Sequence, residues 1–175
     1  MADIPLTVWT IGHSTRSTDE LLAALAPSDI ETVADVRRFP GSRRLPHFSV
    51  EALGASLETH GLNYVGIPAL GGRRRPLPDS VNTAWRHEAF RGYADHVQTE
   101  EFAEGLFELL MIANGSRTAI MCAEVLWWRC HRRLIADVLT SLGMTVVHIA
   151  DATHATVHRI SEPARMEDGV LRYDG

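Results

Sequence analysis

The sequence predicts a single α/β domain over residues 1–175, built on a mainly parallel sheet of about five strands. Helices flank it in a Rossmann-like three-layer arrangement, and a short irregular or hairpin C-terminal tail follows. Three observations point there. Short β-rich runs alternate with stretches of helical periodicity, and such alternation implies right-handed crossovers between parallel strands. Gly-, Pro- and Arg-containing loops follow the strands. A chain of 175 residues with 45% hydrophobic content suits one domain with one packed interior.

Taken in order, Leu6 to Ile11 reads as a strand broken by Gly12-His13-Ser14. Ser17 and Glu20 form a capping box ahead of Leu21, Leu22 and Leu25, with Pro27 as the stop. Glu31 to Val36 is a second strand, and the chain leaves it through a loop bent at Pro40, Gly41 and Pro46. Ser49 caps a helix carrying Leu53 and Leu57 and ended by Gly61. Leu62 to Ile67 is the third strand, followed by the basic loop Pro68 to Pro76. Helical patterns cover Ala84 to Val97 and, after a Thr99 cap, the stretch to Ala113, where Asn114-Gly115 ends the run. Thr118 to Cys122 is the fourth strand, Cys130 to Leu142 a helix stopped by Gly143, and Thr145 to Ile149 the fifth strand. In the tail, Thr156 to Ile160 and Val170 to Tyr173 are short strand segments near the Asp168-Gly169 turn signal.

Composition narrows the function classes. Residues 1–7 lack a basic n-region and a long apolar h-region, and no apolar run approaches the roughly 20 residues of a membrane span, so a cytoplasmic chain without membrane association is expected. Two cysteines eight positions apart form no disulfide framework, and reduced thiols are expected. A net charge of −5 argues against general nucleic-acid binding, but the charge is uneven. All 17 basic residues besides histidine are arginines, and nine of them face five acids between Asp35 and Arg91. Arginine presents a planar fork suited to phosphate and carboxylate, so clustering on an acidic background predicts a focused anion site.

In this topology Gly12-His13-Ser14, Asp35 to Arg44, Gly71 to Arg75, Cys122 to Arg132 and His148 all fall near the carboxyl ends of strands, on one rim where α/β folds bind ligands. Cys130, near the first turn of its helix, is the nucleophile candidate, because the helix dipole and nearby arginines favour thiolate. Its competing role is that of an inert core thiol, the role also assigned to Cys122. Glu124 and His13 are the acid or base candidates. Adjacent helical residues point apart, so His131 is a poor partner for Cys130, and His13 or His148 is the better one. Gly12, Ser14, Asp35, Arg37, Ser42, Arg43, Gly71, Gly72, Arg73, His131 and Arg132 are the candidate anion- or substrate-binding positions, with Asp35 and Arg37 also able to pair with each other. Trp127 and Trp128 pack the turn or stack a base. No metal is predicted: Cys122, Glu124, Cys130, His131, His13 and His148 lack the spacing of a zinc site. No cofactor is identifiable.

The order Thr10-Ile11-Gly12-His13-Ser14, Asp35-Val36-Arg37, Pro40 with Ser42-Arg43, Pro46 with Phe48, Leu70-Gly71-Gly72, Cys122-Ala123-Glu124, and Cys130-His131-Arg132 before Leu134-Ile135-Ala136 resembles the family called domain of unknown function 488, which is bacterial. The resemblance runs from about Val8 to Ile149 and implies a single α/β domain with a shared set of polar positions. Asp35-Val36-Arg37 also resembles the strand end of rhodanese-like sulfurtransferases, although Cys130-His131-Arg132 lacks the longer cysteine-to-arginine cradle of that family. The leading expectation is a Cys-dependent transferase or hydrolase acting on a phosphate- or carboxylate-bearing small molecule or nucleotide. The alternatives are a non-catalytic module for a nucleotide or nucleic acid, and sulfur transfer of the rhodanese kind. Oligomeric state is left open.

Overall fold

In the computed structural model, which describes residues 6–175, the sheet grows outward from β1 (Thr7–Gly12). The reading of residues 1–5 as free of a leader lies outside the described residues. Two parallel neighbours bury β1, β4 (Thr118–Cys122) on one side and β5 (Thr145–Ile149) on the other. β2 (Thr32–Asp35) pairs with β4, β3 (Asn63–Gly66) forms one edge, and β6 (Ala155–Val157) the other, giving the order β3-β2-β4-β1-β5-β6. All neighbours are parallel except β6, which runs antiparallel to β5. The sheet therefore has six strands, the sixth taken from the tail.

Strand side chains alternate between two cores because successive residues point to opposite faces. On one face, Trp9, Ile11, Val33, Ala119 and Met121 meet α1 (Thr18–Leu25) and α2 (Val50–Thr59) through Leu21, Leu25, Leu53 and Leu57. On the other, Val8, Ala34, Val36, Ile120 and Val146 meet α3 (Glu88–His96), α4 (Glu100–Gly115) and α5 (Arg132–Ser141) through Tyr93, Phe102, Leu109, Leu134 and Leu139. The Ser17–Glu20 capping box forms as its spacing predicts, and Ser49 and Thr99 cap α2 and α4.

Two helix starts differ from the expected ones. The helix expected from Ala84 begins at Glu88, because His87 caps it and Ala84 is held by the Tyr173 carbonyl. The helix expected from Cys130 begins at Arg132, since Trp127–Arg129 makes its own 3-10 turn and Cys130 is extended. In the tail, β7 (Arg165–Glu167) and β8 (Val170–Arg172) form a hairpin through Asp168 and Gly169, both at positive φ as a tight two-residue turn requires.

β1 and β4 are neighbours, yet the chain leaves β1 toward the α1 face and leaves β4 toward the α5 face. Their carboxyl ends, with Gly12 opposite Cys122, thus mark the point where an open α/β sheet forms its crevice. No helix among the described residues is long and apolar enough to cross a membrane.

Candidate functional site

The crevice between β1 and β4 is closed by backbone. His13 N–H donates to the Cys122 carbonyl at 2.9 Å, and Ser14 N–H to the Ala123 carbonyl at 3.0 Å. A Cβ on Gly12 would stand 1.9 Å from the Glu124 carbonyl oxygen, so only glycine lets the loops meet. That carbonyl faces inward and accepts from Arg132 Nη2 at 2.5 Å, while the Glu124 side chain is exposed and accepts from Leu126 N–H within its own turn. Glu124 thus meets the interior through its backbone.

Beneath this closure lie the two thiols. Cys122 Sγ and Cys130 Sγ are 2.9 Å apart, both free and both buried. Cys130 Sγ also lies 3.4 Å from His131 Nδ1. This corrects the expectation that neighbours in sequence make a poor pair. That argument assumed both residues were helical, but Cys130 is extended and His131 is the helix cap, so their side chains converge. His131 Nε2 donates to the Val36 carbonyl at 3.0 Å, which leaves Nδ1 facing the thiol as a base. Burial pushes both thiols up. At Cys130 the hydrogen bond from Cys122 and the neighbouring His131 and Arg132 outweigh burial and hold the thiol well below its ordinary range. Cys122, opposed by burial and by its partner sulfur, is pushed well above. At 2.9 Å the Cys122 S–H is placed to donate to Cys130 Sγ, the sulfur whose ionised form its surroundings favour.

Arg132 supports this arrangement from inside the protein. It is 1% exposed, donates through Nε to Cys122 Sγ at 3.0 Å, and donates through Nη1 to Thr10 Oγ1 at 3.1 Å. Having accepted there, Thr10 donates its own proton to His148 Nδ1 at 2.7 Å. His148 Nε2 then donates to His158 Nδ1 at 2.9 Å, and His158 Nε2 to Asp137 Oδ1 at 2.7 Å. Asp137 also accepts from Ser161 N–H and from the Tyr173 hydroxyl. One consistent assignment of protons satisfies every link with both histidines neutral. Burial first, then the neighbouring His158 ring and the Arg132 guanidinium, lowers the His148 pKa to about 3. Trp127 covers the chain, its ring stacked on His148 at 4.0 Å.

A second polar cluster occupies the opposite sheet face. Arg37 pairs with Asp35 at 2.7 Å and reaches His13 Nε2 through Nη1 at 3.3 Å, while Tyr64 donates to Asp35 at 2.6 Å. His13 Nδ1 donates to the Ser14 carbonyl, and its ring stacks on Phe48 at 4.2 Å. Burial lowers the His13 pKa, so its neutral ring serves as the acceptor for Arg37.

An open, arginine-lined surface lies beside these clusters. A cleft of about 440 Å³ is lined by Arg38, Arg73, Arg74 and Arg75, with Asp95, His96 and Glu101. Arg74 is held by Glu101 at 3.0 Å, and Asp95 is saturated by Leu77 N–H, Ser80 and Asn82. Arg38, Arg73 and Arg75 have no carboxylate partner among the described residues. The loop joins the cleft to the thiols: a Cβ on Gly72 would meet His131 Nδ1 at 2.9 Å, and Gly71 presses on the Arg38 backbone. No three His, Cys, Asp or Glu side chains among the described residues are grouped to hold a metal ion.

A family model described as Domain of unknown function DUF488 matches residues 17–139. The chain belongs to this family. No curated protein and no solved structure matches it. The DUF488 span contains Asp35, Arg37, the Gly71–Arg75 loop, both thiols and Arg132, but ends before His148 and His158.

Of the positions read from sequence, the structure joins Gly12, Gly72, Cys130, His131 and Arg132 around the thiols, and Asp35, Arg37 and His13 on the other face. The expected single rim is thus two clusters separated by the sheet. Ser42 accepts from Arg44 and Leu45 N–H within its loop, and Arg43 is exposed there. Arg73 lines the cleft at φ 58. Sequence reasoning missed Cys122 as a sulfur partner, the Thr10–His148–His158–Asp137 chain, and Arg38 and Arg75 as the open cations. The available signal was Thr10 and His148 standing at core-facing positions of apolar strands.

Proposed function

We propose that this DUF488 chain is a thiol enzyme, a transferase or hydrolase in which the Cys130 thiolate attacks the electrophilic centre of a phosphate- or carboxylate-bearing small molecule or nucleotide. The observation that carries this reading is the Cys122–Cys130–His131 contact, which sets Cys130 Sγ within reach of an imidazole nitrogen that can take its proton and of a second sulfur that can donate to it. Arg38, Arg73 and Arg75 attract the anionic part of the substrate from the cleft, on the far side of Gly72. Glu124 and Arg43, turned outward, have no part in the attack, and Arg37 and Arg132, committed to internal partners, position rather than clamp.

The test is the pH profile of alkylation at Cys130, which reads its ionisation independently of access. With iodoacetamide, an ordinary thiol slows about tenfold for each pH unit below its pKa of about 8.5. Cys130 is expected to keep a level rate from pH 8 down to pH 6, and Cys130→Ser to abolish the reaction. A rate that falls like that of free cysteine overturns the reading.

The unpaired arginines favour a second reading, a non-catalytic phosphate-binding module for a nucleotide or nucleic acid. It predicts binding of tripolyphosphate or a short RNA that weakens steeply with salt and is unaffected by Cys130→Ser.

A further inference from the structure

Cys122 enters the chemistry above only as a hydrogen-bond donor, yet its place allows more. Its sulfur is 2.9 Å from Cys130 Sγ, both thiols are free, and they are 2% and 6% exposed. Sulfurs already in contact need only about 1 Å of further approach to reach bonding distance. Burial selects the oxidant. A bulky disulfide must bring its own sulfur into line with a thiolate covered by neighbouring side chains, whereas a peroxide is little larger than water.

We propose that Cys130 and Cys122 are the attacking and resolving thiols of a peroxide-reducing pair, a redox activity that rests on reading Cys130 as a nucleophile. His131 takes the Cys130 proton. The thiolate attacks one oxygen of hydrogen peroxide, forming an S–O bond as the O–O bond breaks, and His131 returns its proton to the departing hydroxide as water. Cys122 then attacks the sulfur of the Cys130 sulfenic acid, and its own proton leaves with the hydroxyl as a second water. The dithiol loses two electrons and peroxide gains them. Arg132, 3.0 Å from Cys122 Sγ, stabilises the negative charge that develops on that sulfur during the second step.

The reduced full chain, freed of reductant, is treated with one equivalent of hydrogen peroxide at pH 7, then acid-quenched for denatured thiol counting and intact mass. The wild type is expected to lose both thiols and about 2 Da, while Cys122→Ser stops at a Cys130 sulfenic acid trapped by dimedone. Cys130→Ser is expected to leave Cys122 reduced over the same interval, and Cys122→Ala replaces the serine variant if that one does not fold. Retention of both thiols, gain of oxygen without loss of two hydrogens, or oxidation of Cys122 at the wild-type rate in Cys130→Ser overturns the proposal. If alkylation of Cys130 stays level to pH 6 while no disulfide forms, the redox pair fails and the nucleophile stands; if both fail, the nucleophile reading falls as well.

Discussion

Two glycines at the site carry opposite demands. At Gly12 the obstruction is the Glu124 backbone, 1.9 Å from where a Cβ would sit and tied down by Arg132. Nothing there can give way, so Gly12→Ala is expected to destabilise the fold by about 3 kcal/mol or more, read as a lowered urea midpoint. At Gly72 the obstruction is the edge of the His131 ring at 2.9 Å. That ring is held on its far side by a single hydrogen bond to the Val36 carbonyl and can turn away. Gly72→Ala is therefore expected to keep the fold but draw His131 from Cys130, raising the midpoint of the alkylation pH profile. An unchanged midpoint would show that His131 does not sustain the thiolate.

At the scale of an element, α5 does two jobs. Its amino end presents His131 and Arg132 to the thiols, and Asp137, further along the helix, anchors the far end of the buried chain of hydrogen bonds. Thr10 and Asp137 share no direct contact, but His148 and His158 join them. Thr10→Val leaves Arg132 Nη1 and His148 Nδ1 without that partner and should cost about 2 kcal/mol; Asp137→Asn, which disturbs three buried donors, should cost about 3 kcal/mol. Because each variant already breaks the proton order of the same chain, the double variant should lose less than the sum, by at least about 0.5 kcal/mol in urea melts. Strict additivity would reduce the chain to independent hydrogen bonds.

For the molecule as a whole, what could be read from sequence was what is local: five strands, the Ser17–Glu20 box and the Asp168–Gly169 turn depend on residues within a few positions of one another. The division of the polar loops between faces depends on strand pairing and side-chain parity. Asp35 and Arg37 share the side of Val33, while Thr10, Cys122 and His148 share the side of Val8, so strand ends that meet on one rim still point their side chains apart. The Asp35–Arg37 pair, two positions apart, was legible in the sequence, whereas the capture of Arg132 by Thr10 and Cys122 appears only once the strands are adjacent. This internal use of polar groups has a global consequence in acid. Burial lowers the pKa of His13, His96 and His148, the last to about 3, against about 6.5 in an unfolded chain. Between those values the unfolded chain binds protons that the folded chain refuses. The stabilisation is complete above about pH 6.5 and is lost progressively as pH falls toward 3, the sign required for a depressed folded-state pKa. His148→Gln removes one such proton. Whatever its effect on stability at neutral pH, the slope of unfolding free energy between about pH 5.5 and 4 should be shallower than in the wild type by about 1.4 kcal/mol per pH unit. Parallel slopes in urea melts across that range would mean that His148 takes its proton in the folded state, and the Thr10–His148 link would then have to reverse, with His148 Nδ1 donating to Thr10 Oγ1.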